Sequence, residues 1–138
     1  MKLTTKGKFA VTALLDIAIY SEDNKKPITL YNISDRQNIS LSYLEQLFVK
    51  LRKSGVVKSY KGPGGGYLLM REVDKIDISE IIKAVDEDMD ARSCRGNKNC
   101  RDNRKCLTHD LWAGLTNEMY GYLERITIKD LLDKAETK

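Results

Sequence analysis

The chain has 138 residues, 41% of them hydrophobic, which suffices for one compact domain or for a small domain with an extension. No apolar run approaches the roughly 18–20 residues that a membrane span needs, and the N-terminal sequence lacks signal-peptide character, so we expect a soluble, cytoplasmic protein. The net charge of +4 is unevenly distributed, because residues 1–70 carry 11 Lys/Arg against 5 Asp/Glu and residues 71–138 carry 13 against 15. A basic first half suits a polyanionic partner, although charge alone fits many other soluble proteins.

Three helices are predicted in the first half of the chain. Apolar residues three and four positions apart indicate helices over residues 7–20, 29–37 and 41–54. Thr29 is a candidate N-cap of the second helix and Ser40 or Ser42 of the third, which Gly55 is expected to stop. Two helices joined by a turn of three or four residues form a helix-turn-helix unit, so the second and third helices predict that motif.

A β-hairpin is predicted directly behind the third helix. Residues 56–60 and 67–70 are typical of strands, and the Gly- and Pro-rich segment 61–66 is typical of a turn. This turn is not a nucleotide-binding P-loop, because it lacks Gly-Lys-Ser/Thr and no helix follows it. The layout predicts a mainly α fold with a small β-hairpin wing, a winged helix-turn-helix.

The second half is predicted to hold a helix over residues 78–86, a loop over 91–107 without apolar periodicity, a long helix over 108–126 with Thr108 as its N-cap, and a last short helix after Thr127. The expected division is a winged helix-turn-helix domain over 1–86, a loop over 87–107, and a long helix with a C-terminal tail over 108–138.

The long helix carries more apolar residues than a solvent-facing helix needs. Packing on its own domain would explain them, but a reader of palindromic half-sites requires a dimer, so we favour a dimer interface. The apolar set is Leu111, Trp112, Leu115, Met119, Tyr122, Leu123 and Ile126.

The third helix and the hairpin tip are the candidate DNA-contacting surfaces. Polar side chains at a helix N-terminus can reach base edges in a major groove, although an ordinary solvated face explains them equally well. Five Gly/Pro residues follow Lys61 and would let backbone N–H groups approach phosphates, whereas a flexible turn needs only two residues. Helix, hairpin and charge together favour DNA binding. The residues expected to be exposed on the helix are Ser42, Tyr43, Gln46 and Lys50.

The cysteines indicate a metal centre. All three cysteines lie within 13 residues of one another, and the single histidine follows three residues after the last, in the pattern Cys-x5-Cys-x5-Cys-x2-His. Three cysteines cannot all pair as disulfides, and thiolates favour iron–sulfur clusters, zinc or Cu(I). The intervals are wide for zinc, and the loop carries six Lys/Arg against one Asp, which would offset a negative cluster. The candidate ligands are Cys94, Cys100, Cys106 and His109.

These segments together resemble the Rrf2 family of bacterial winged-helix transcriptional regulators, and within it the regulators that sense iron–sulfur clusters. The resemblance is densest in Ile-Ser-Leu-Ser-Tyr-Leu-Glu-Gln-Leu-Phe of the third helix and in Lys-Gly-Pro-Gly-Gly-Gly-Tyr-Leu-Leu of the hairpin. It begins at the first residue, includes Cys-Leu-Thr-His before the long helix, and covers nearly the whole chain.

The resemblance implies a homodimer that binds operator DNA and holds one [2Fe–2S] cluster per subunit on the three cysteines and His109, supplied by the iron–sulfur assembly machinery. It implies a repressor of iron–sulfur cluster biogenesis genes in which the Glu45 carboxylate discriminates between operators when the cluster is absent. Lys61 departs from the family, where arginine is usual and gives bidentate geometry. The DNA contacts implied are Ser42, Tyr43, Gln46, Lys61, Gly62, Pro63 and Gly64.

Three alternatives are weighed against this interpretation. A nitric-oxide- or redox-sensing member of the same family shares the cysteines, but His109 and Glu45 argue against it. A zinc-stabilised DNA-binding module remains open to metal analysis. An enzyme is disfavoured, because no general acid or base stands beside the loop and the lone histidine is used as a ligand.

Overall fold

The computed structural model of the protein describes residues 5–85 and 107–136. The predicted mainly helical fold with a hairpin wing is confirmed. Within the described ranges no helix is long and apolar enough to cross a membrane. The elements in chain order are α1 (Thr5–Tyr20), α2 (Leu30–Gln37), α3 (Leu41–Lys53), β1 (Val57–Tyr60), β2 (Gly66–Leu69), a short 3-10 turn (Val73–Lys75), α4 (Ile78–Ala84), α5 (His109–Glu124) and α6 (Ile128–Glu136).

The core lies between α1, α3, α4 and the hairpin, and α3 is its centre. Apolar residues at helical spacing place one face of α3 entirely inside, as predicted, and burying each such side chain contributes about 1.5–3 kcal/mol. α1 packs closely against α4, α2 and β2, and its apolar face is fully buried in this core. The buried residues of α3 are Leu44, Leu47, Phe48 and Leu51, and those of α1 include Ala10, Ala13, Leu14 and Ile17.

Local capping residues set the helix-turn-helix turn. The Thr29 side chain accepts a hydrogen bond from the Asn32 backbone N–H at 3.0 Å and so begins α2. Asn38 ends α2 with φ of 56°, a left-handed conformation that asparagine tolerates. Ser40, one of the two predicted caps, then accepts from the Tyr43 N–H at 3.4 Å and begins α3.

The end of α3 is a glycine-terminated motif. Gly55 has φ of 77°, and its N–H donates to the Arg52 carbonyl at 3.1 Å, while the Val56 N–H donates to the Leu51 carbonyl at 3.0 Å. This 5→2 and 6→1 pair satisfies carbonyls that the helix end leaves open. The predicted stop is confirmed, and the strand begins at Val57 rather than one residue earlier because the preceding N–H is used by the helix end.

The wing is tied to the rest of the fold by an isolated β-bridge to the segment before α2. β1 and β2 pair antiparallel with Val57 opposite Leu69. Ile28, just before α2, exchanges two backbone hydrogen bonds with Tyr67, of 3.0 Å and 2.8 Å. The Tyr67 ring also packs edge-on against Phe48 of α3, with centroids 4.8 Å apart at 61°. Strand pairing and ring packing therefore hold the hairpin against both helices of the motif.

The C-terminal helices return to the N-terminal unit. The Ile78 N–H donates to the Ile126 carbonyl at 2.9 Å, and the Ile128 N–H donates to the Ile76 carbonyl at 3.1 Å, so the segment between α5 and α6 pairs with the segment before α4. Ile128 is fully buried in the core, and α6 packs on α1. α4 ends at Ala84, two residues earlier than predicted, and the predicted cysteine loop up to residue 106 lies outside the described residues. The proposed domain boundaries stay a prediction.

Candidate nucleic-acid interface and metal centre

The outward face of α3 presents polar side chains at its N-terminal end. Ser42, Glu45 and Gln46 are exposed, while the neighbouring Leu44 and Leu47 are buried. The helical period that buries the apolar residues therefore fixes the direction of the polar ones. A hydroxyl, a carboxylate and an amide side by side can donate to and accept from base edges in a major groove.

Tyr43 is less exposed than predicted. Its ring packs edge-on against Phe9 of α1, with centroids 5.6 Å apart at 84°, and its hydroxyl lies 3.3 Å from the Thr5 hydroxyl. The side chain is half-buried, because α1 covers one side of the ring. A tyrosine hydroxyl has one donor and two acceptor positions, so this contact leaves it able to form a further hydrogen bond.

Glu45 is exposed on this face, next to Gln46 and one helical turn from the exposed apolar residues Leu41 and Val49. It makes no hydrogen bond or ion pair with any other residue in the described ranges. An exposed carboxylate without a cationic neighbour accepts from donor groups such as the cytosine amine and is repelled by acceptor edges and phosphates. The side chain therefore has the chemistry needed to distinguish base edges that donate hydrogen bonds from base edges that accept them.

The wing tip exposes backbone rather than side chains. Lys61, Gly62, Pro63 and Gly64 are all exposed, and Gly62 and Gly64 have φ of 88° and 77°. The Gly65 N–H donates to the Gly62 carbonyl at 2.9 Å and closes the turn. With positive φ at two glycines and no bulky side chain beside Lys61, a phosphate or groove wall can approach the tip closely.

An ion pair between a buried carboxylate and a partly exposed arginine positions α2, and the sequence interpretation missed it. Asp16 of α1 is 1% exposed and accepts from Arg36 Nε at 2.9 Å, from Arg36 Nη2 at 2.6 Å and from Gln37 Nε2 at 2.9 Å. Arg36 also lies over the Tyr20 ring at 4.1 Å. The signal was present, since a carboxylate on an otherwise apolar helix face is rarely buried without a partner.

His109 is the one candidate metal ligand within the described ranges, and it is the first residue of α5. The residue is 3% exposed, whereas Leu107, two positions earlier, is fully exposed. Cys94, Cys100 and Cys106 lie outside the described residues. Among the residues that the structure covers, no group of three His, Cys, Asp or Glu could hold a metal ion, so any site at His109 needs ligands from the cysteine segment.

The start of α5 is organised around Thr108. The residue is the N-cap by position, as predicted, but its side chain makes no capping hydrogen bond to the helix backbone. Its hydroxyl instead accepts from Trp112 Nε1 at 3.0 Å. Trp112 is the only tryptophan of the chain and lies about one turn after His109. It contacts Thr108, the residue before His109.

Comparisons with known proteins agree with this architecture. The Rrf2 model, for iron-dependent transcriptional regulators, matches residues 3–134. The chain is 52% identical over 136 residues to the HTH-type transcriptional regulator IscR of Cronobacter sakazakii, covering 99% of this chain and 83% of that one, with the same figures for IscR of Escherichia coli O1:K1. The solved structure of T. potens IscR is similar with a TM-score of 0.77 and 32% identity, over 98% of this chain and 88% of that chain.

A second solved structure, CymR, the global cysteine regulator of B. subtilis, gives a TM-score of 0.79 and 28% identity, over 97% of this chain and 98% of that chain. All of these relatives are regulators and none is an enzyme, which confirms the predicted class of function.

Proposed function

Because the chain belongs to the Rrf2 family of transcriptional regulators, we propose that it is a cytoplasmic, homodimeric repressor of iron–sulfur cluster biogenesis genes whose operator choice depends on a bound [2Fe–2S] cluster. The observation that carries the proposal is the buried imidazole of His109 at the first residue of α5, three residues after the last of three closely spaced cysteines. The cluster would be supplied by the iron–sulfur assembly machinery.

The donor set fits a cluster. Three thiolates and one imidazole match the mixed ligation known for [2Fe–2S] centres, in which histidine can replace cysteine. Burial of His109 excludes water from one side of the site and fixes the imidazole, because the ring cannot rotate freely inside the packed surface. When bound, the cluster would supply a redox-active group whose presence follows iron and sulfide supply. Cys94, Cys100, Cys106 and His109 would hold it.

DNA binding is assigned to the exposed face of α3 and to the wing. Ser42 and Gln46 would read base edges, Tyr43 would contribute its hydroxyl, and Lys61 to Gly64 would contact the backbone or a groove. Exposure of Ser42, Gln46 and Lys61 to Gly64 supports the assignment, as does the rigid connection of the wing to α3 through Tyr67. Glu45 would exclude operators that present acceptor edges opposite it.

A dimer is proposed from the outer face of α5. Leu111 and Tyr122 are 61% and 57% exposed and lie on one side of the helix, about three turns apart. The opposite side packs on α4 and the core. Large apolar residues exposed on one helix face mark an interaction surface, here with the exposed Glu118 between them on the same face. A twofold pair of these helices would place two recognition helices on one palindrome.

The test is anaerobic purification followed by an absorption spectrum, iron and sulfide analysis, and DNA binding with and without the cluster. We expect a coloured protein with two irons and two sulfides per chain, and operator binding that changes when the cluster is removed. Stoichiometric zinc without sulfide would favour the zinc-stabilised module instead. A cluster that leaves DNA binding unchanged until nitric oxide or an oxidant is added would favour the nitric-oxide- or redox-sensing alternative.

A further inference from the structure

Val49 is an exposed apolar residue on the outward face of α3. Its exposed fraction is 45%, and among the described residues it belongs neither to the buried core nor to the partly buried apolar side chains that pack against that core. Valine is also a weaker helix former than alanine, because its branched side chain loses rotamer freedom in a helix. Core packing and helix propensity therefore do not explain a valine at this position.

Two stripes of residues with the same spacing divide the surface of α3. Each stripe follows the spacing i, i+3, i+4, i+7, which is that of a single helix face. The stripes are offset by two residues, and two residues correspond to a rotation of about 200°, so the stripes lie on opposite sides of the helix. Val49 therefore extends the row of exposed residues that the proposed function assigns to base contacts. The exposed stripe is Ser42, Glu45, Gln46 and Val49, and the buried stripe is Leu44, Leu47, Phe48 and Leu51.

The side chain of Val49 can offer a base edge only its methyl groups. It has no donor or acceptor, so it cannot form the hydrogen bonds by which Ser42 and Gln46 would contact bases. In the major groove, the C5 methyl of thymine is the apolar group that a base pair presents. Contact between this methyl and the valine removes both groups from water, whereas an unmethylated cytosine leaves the valine without an apolar partner. Thymine is therefore the base that matches this side chain.

We propose that Val49 is a specificity residue that selects thymine at one position of each operator half-site through the C5 methyl group. The inference rests on the proposed DNA-binding face of α3 and adds an apolar contact to it. Val49 lies about one helical turn beyond Glu45, a distance of about 5–6 Å along the axis. This distance exceeds one base step of about 3.4 Å, so Val49 contacts a base pair other than the one opposite Glu45.

Replacing thymine by uracil tests a methyl contact directly, because uracil lacks the C5 methyl and keeps the hydrogen-bonding groups of the base edge. The experiment uses the full chain, purified anaerobically, and a duplex that the wild-type protein selects from a random library. Each thymine of this duplex is replaced in turn by uracil, and affinity is measured at one salt concentration. At one thymine per half-site, the wild type should bind the uracil duplex about fourfold more weakly, which corresponds to one methyl group removed from the contact.

The variants separate Val49 from other sources of methyl preference. Val49→Ala shortens the side chain and should bind the thymine and uracil duplexes with nearly equal affinity at that position. Its urea unfolding should match that of the wild type, because the residue is exposed and alanine favours the helix. Val49→Ser, with a helix propensity similar to that of valine, repeats the test if Val49→Ala is not folded. Ile19→Ala is the matched control, since Ile19 is 54% exposed on α1, and it should keep the fourfold preference.

A methyl preference at one thymine per half-site that Val49→Ala loses and Ile19→Ala keeps would bear out the proposal. A preference that survives Val49→Ala, or a selected duplex in which no thymine methyl affects affinity, would overturn it and leave the proposed function intact. A change of oligomeric state in Val49→Ala, measured by sedimentation, would assign the valine to a protein contact and also overturn it. If the wild type enriched no duplex, the proposed DNA-binding function would fail together with this specificity residue.

Discussion

Phe48 and Tyr67 join the recognition helix to the wing, with their ring centroids 4.8 Å apart. Phe48 is fully buried, and Tyr67 is also hydrogen-bonded to the backbone of Ile28, so neither ring can move without disturbing the core. The distance between α3 and the hairpin tip is therefore set before any DNA is bound. A surface ordered in advance loses less conformational entropy on binding.

This anchoring makes Gly66 a sensitive position. Its φ is 146°, and a Cβ there would lie 2.6 Å from the carbonyl atoms of Ile28. We expect Gly66→Ala to lower the free energy of unfolding by roughly 3 kcal/mol or more and to weaken DNA binding, because the added Cβ must push the Ile28 backbone away from the hairpin. Gly62→Ala is the matched control, since its φ is 88° but nothing lies within 4 Å, and it should cost about 1–2 kcal/mol. Urea unfolding of both variants measures the difference, and equal losses would show that backbone strain alone matters.

The Asp16–Arg36 pair should stabilise the fold through the attachment of α2. Asp16→Asn removes the charge that holds the guanidinium and leaves Arg36 poorly paired. We expect a loss of roughly 2–3 kcal/mol, less than for a fully buried pair because the Arg36 side chain is 30% exposed. Asp35→Asn, an exposed carboxylate on the same helix, should change the stability by less than about 0.5 kcal/mol in the same urea titration. Comparable losses in both variants would contradict this role.

The contribution of the Asp16–Arg36 pair to stability should depend on pH through the ionisation of Arg36. The hydrogen bond with Asp16 raises the pKa of Arg36 above its ordinary value. A base whose pKa is raised on folding contributes stability that is fully present below the unfolded-state pKa and is lost only as pH rises through the folded-state value. Both values lie beyond the alkaline end of the usual range, so the stability deficit of Asp16→Asn should stay constant between neutral pH and about pH 10. A deficit that shrinks over that range would contradict this assignment.

Much of the fold could be predicted because its signals are local. The helical period, the serine and threonine caps and the terminal glycine each act within a few residues, and Thr29, Ser40 and Gly55 perform the predicted roles. Contacts between distant segments could not be predicted this way. The Asn24 side chain exchanges two hydrogen bonds of 2.9 Å with the backbone of Leu69, a partner 45 residues away that no periodicity reveals.

In the candidate site, too, local features could be predicted from the sequence and contacts between distant segments could not. Exposure of Ser42 and Gln46 followed from the spacing of the buried residues on α3, which belongs to one helix. The partial burial of Tyr43 depends on Phe9 and Thr5 of another helix, so the sequence interpretation placed the side chain too far into solvent. The helix arrangement, rather than the sequence pattern, reveals which side chains share a surface.

The ligand role of the cysteines and His109 can be tested by substitution. Removing any of the three cysteines should abolish the cluster while the protein stays folded and dimeric, because residues 5–85 and 107–136 already form a packed core of their own. His109→Cys should retain a cluster with a lower reduction potential, since a second thiolate on that iron adds negative charge. Redox titration followed by absorbance measures the potential. An unchanged potential would show that His109 is not a ligand.

The outer face of α5 should control the oligomeric state. Tyr122→Glu places a charge in the proposed apolar contact, so we expect a monomer in sedimentation experiments and a large loss of operator affinity. Asn117→Glu adds the same charge to an exposed position on another side of the helix and should leave the dimer intact. A dimer that survives Tyr122→Glu would place the interface elsewhere.

Glu45 should determine which operators the cluster-free protein binds. The carboxylate is repelled by acceptor edges, so we expect Glu45→Ala to recover cluster-free binding to operators that the wild type then rejects, by about 1–3 kcal/mol per half-site. The measurement is a titration of loaded, cluster-free and cluster-free Glu45→Ala protein against both operator types at one salt concentration. Glu22→Ala, an exposed carboxylate outside α3, serves as the control. Equal affinity of loaded and cluster-free protein for every operator would remove the sensing mechanism.

The backbone pairing of Ile76 and Ile78 with the segment after α5 fixes the C-terminal end of that helix through two hydrogen bonds. α5 has 16 residues and is about 24 Å long, with the fixed end near Ile126 and His109 at its N-terminal end. A tilt of the helix by about 5° around the fixed end would move the N-terminal end by about 2 Å and leave the C-terminal end almost in place. Leu111 lies near the N-terminal end of α5 and Tyr122 near the fixed C-terminal end. A small change in the position of His109 would therefore displace Leu111 and leave Tyr122 almost in place.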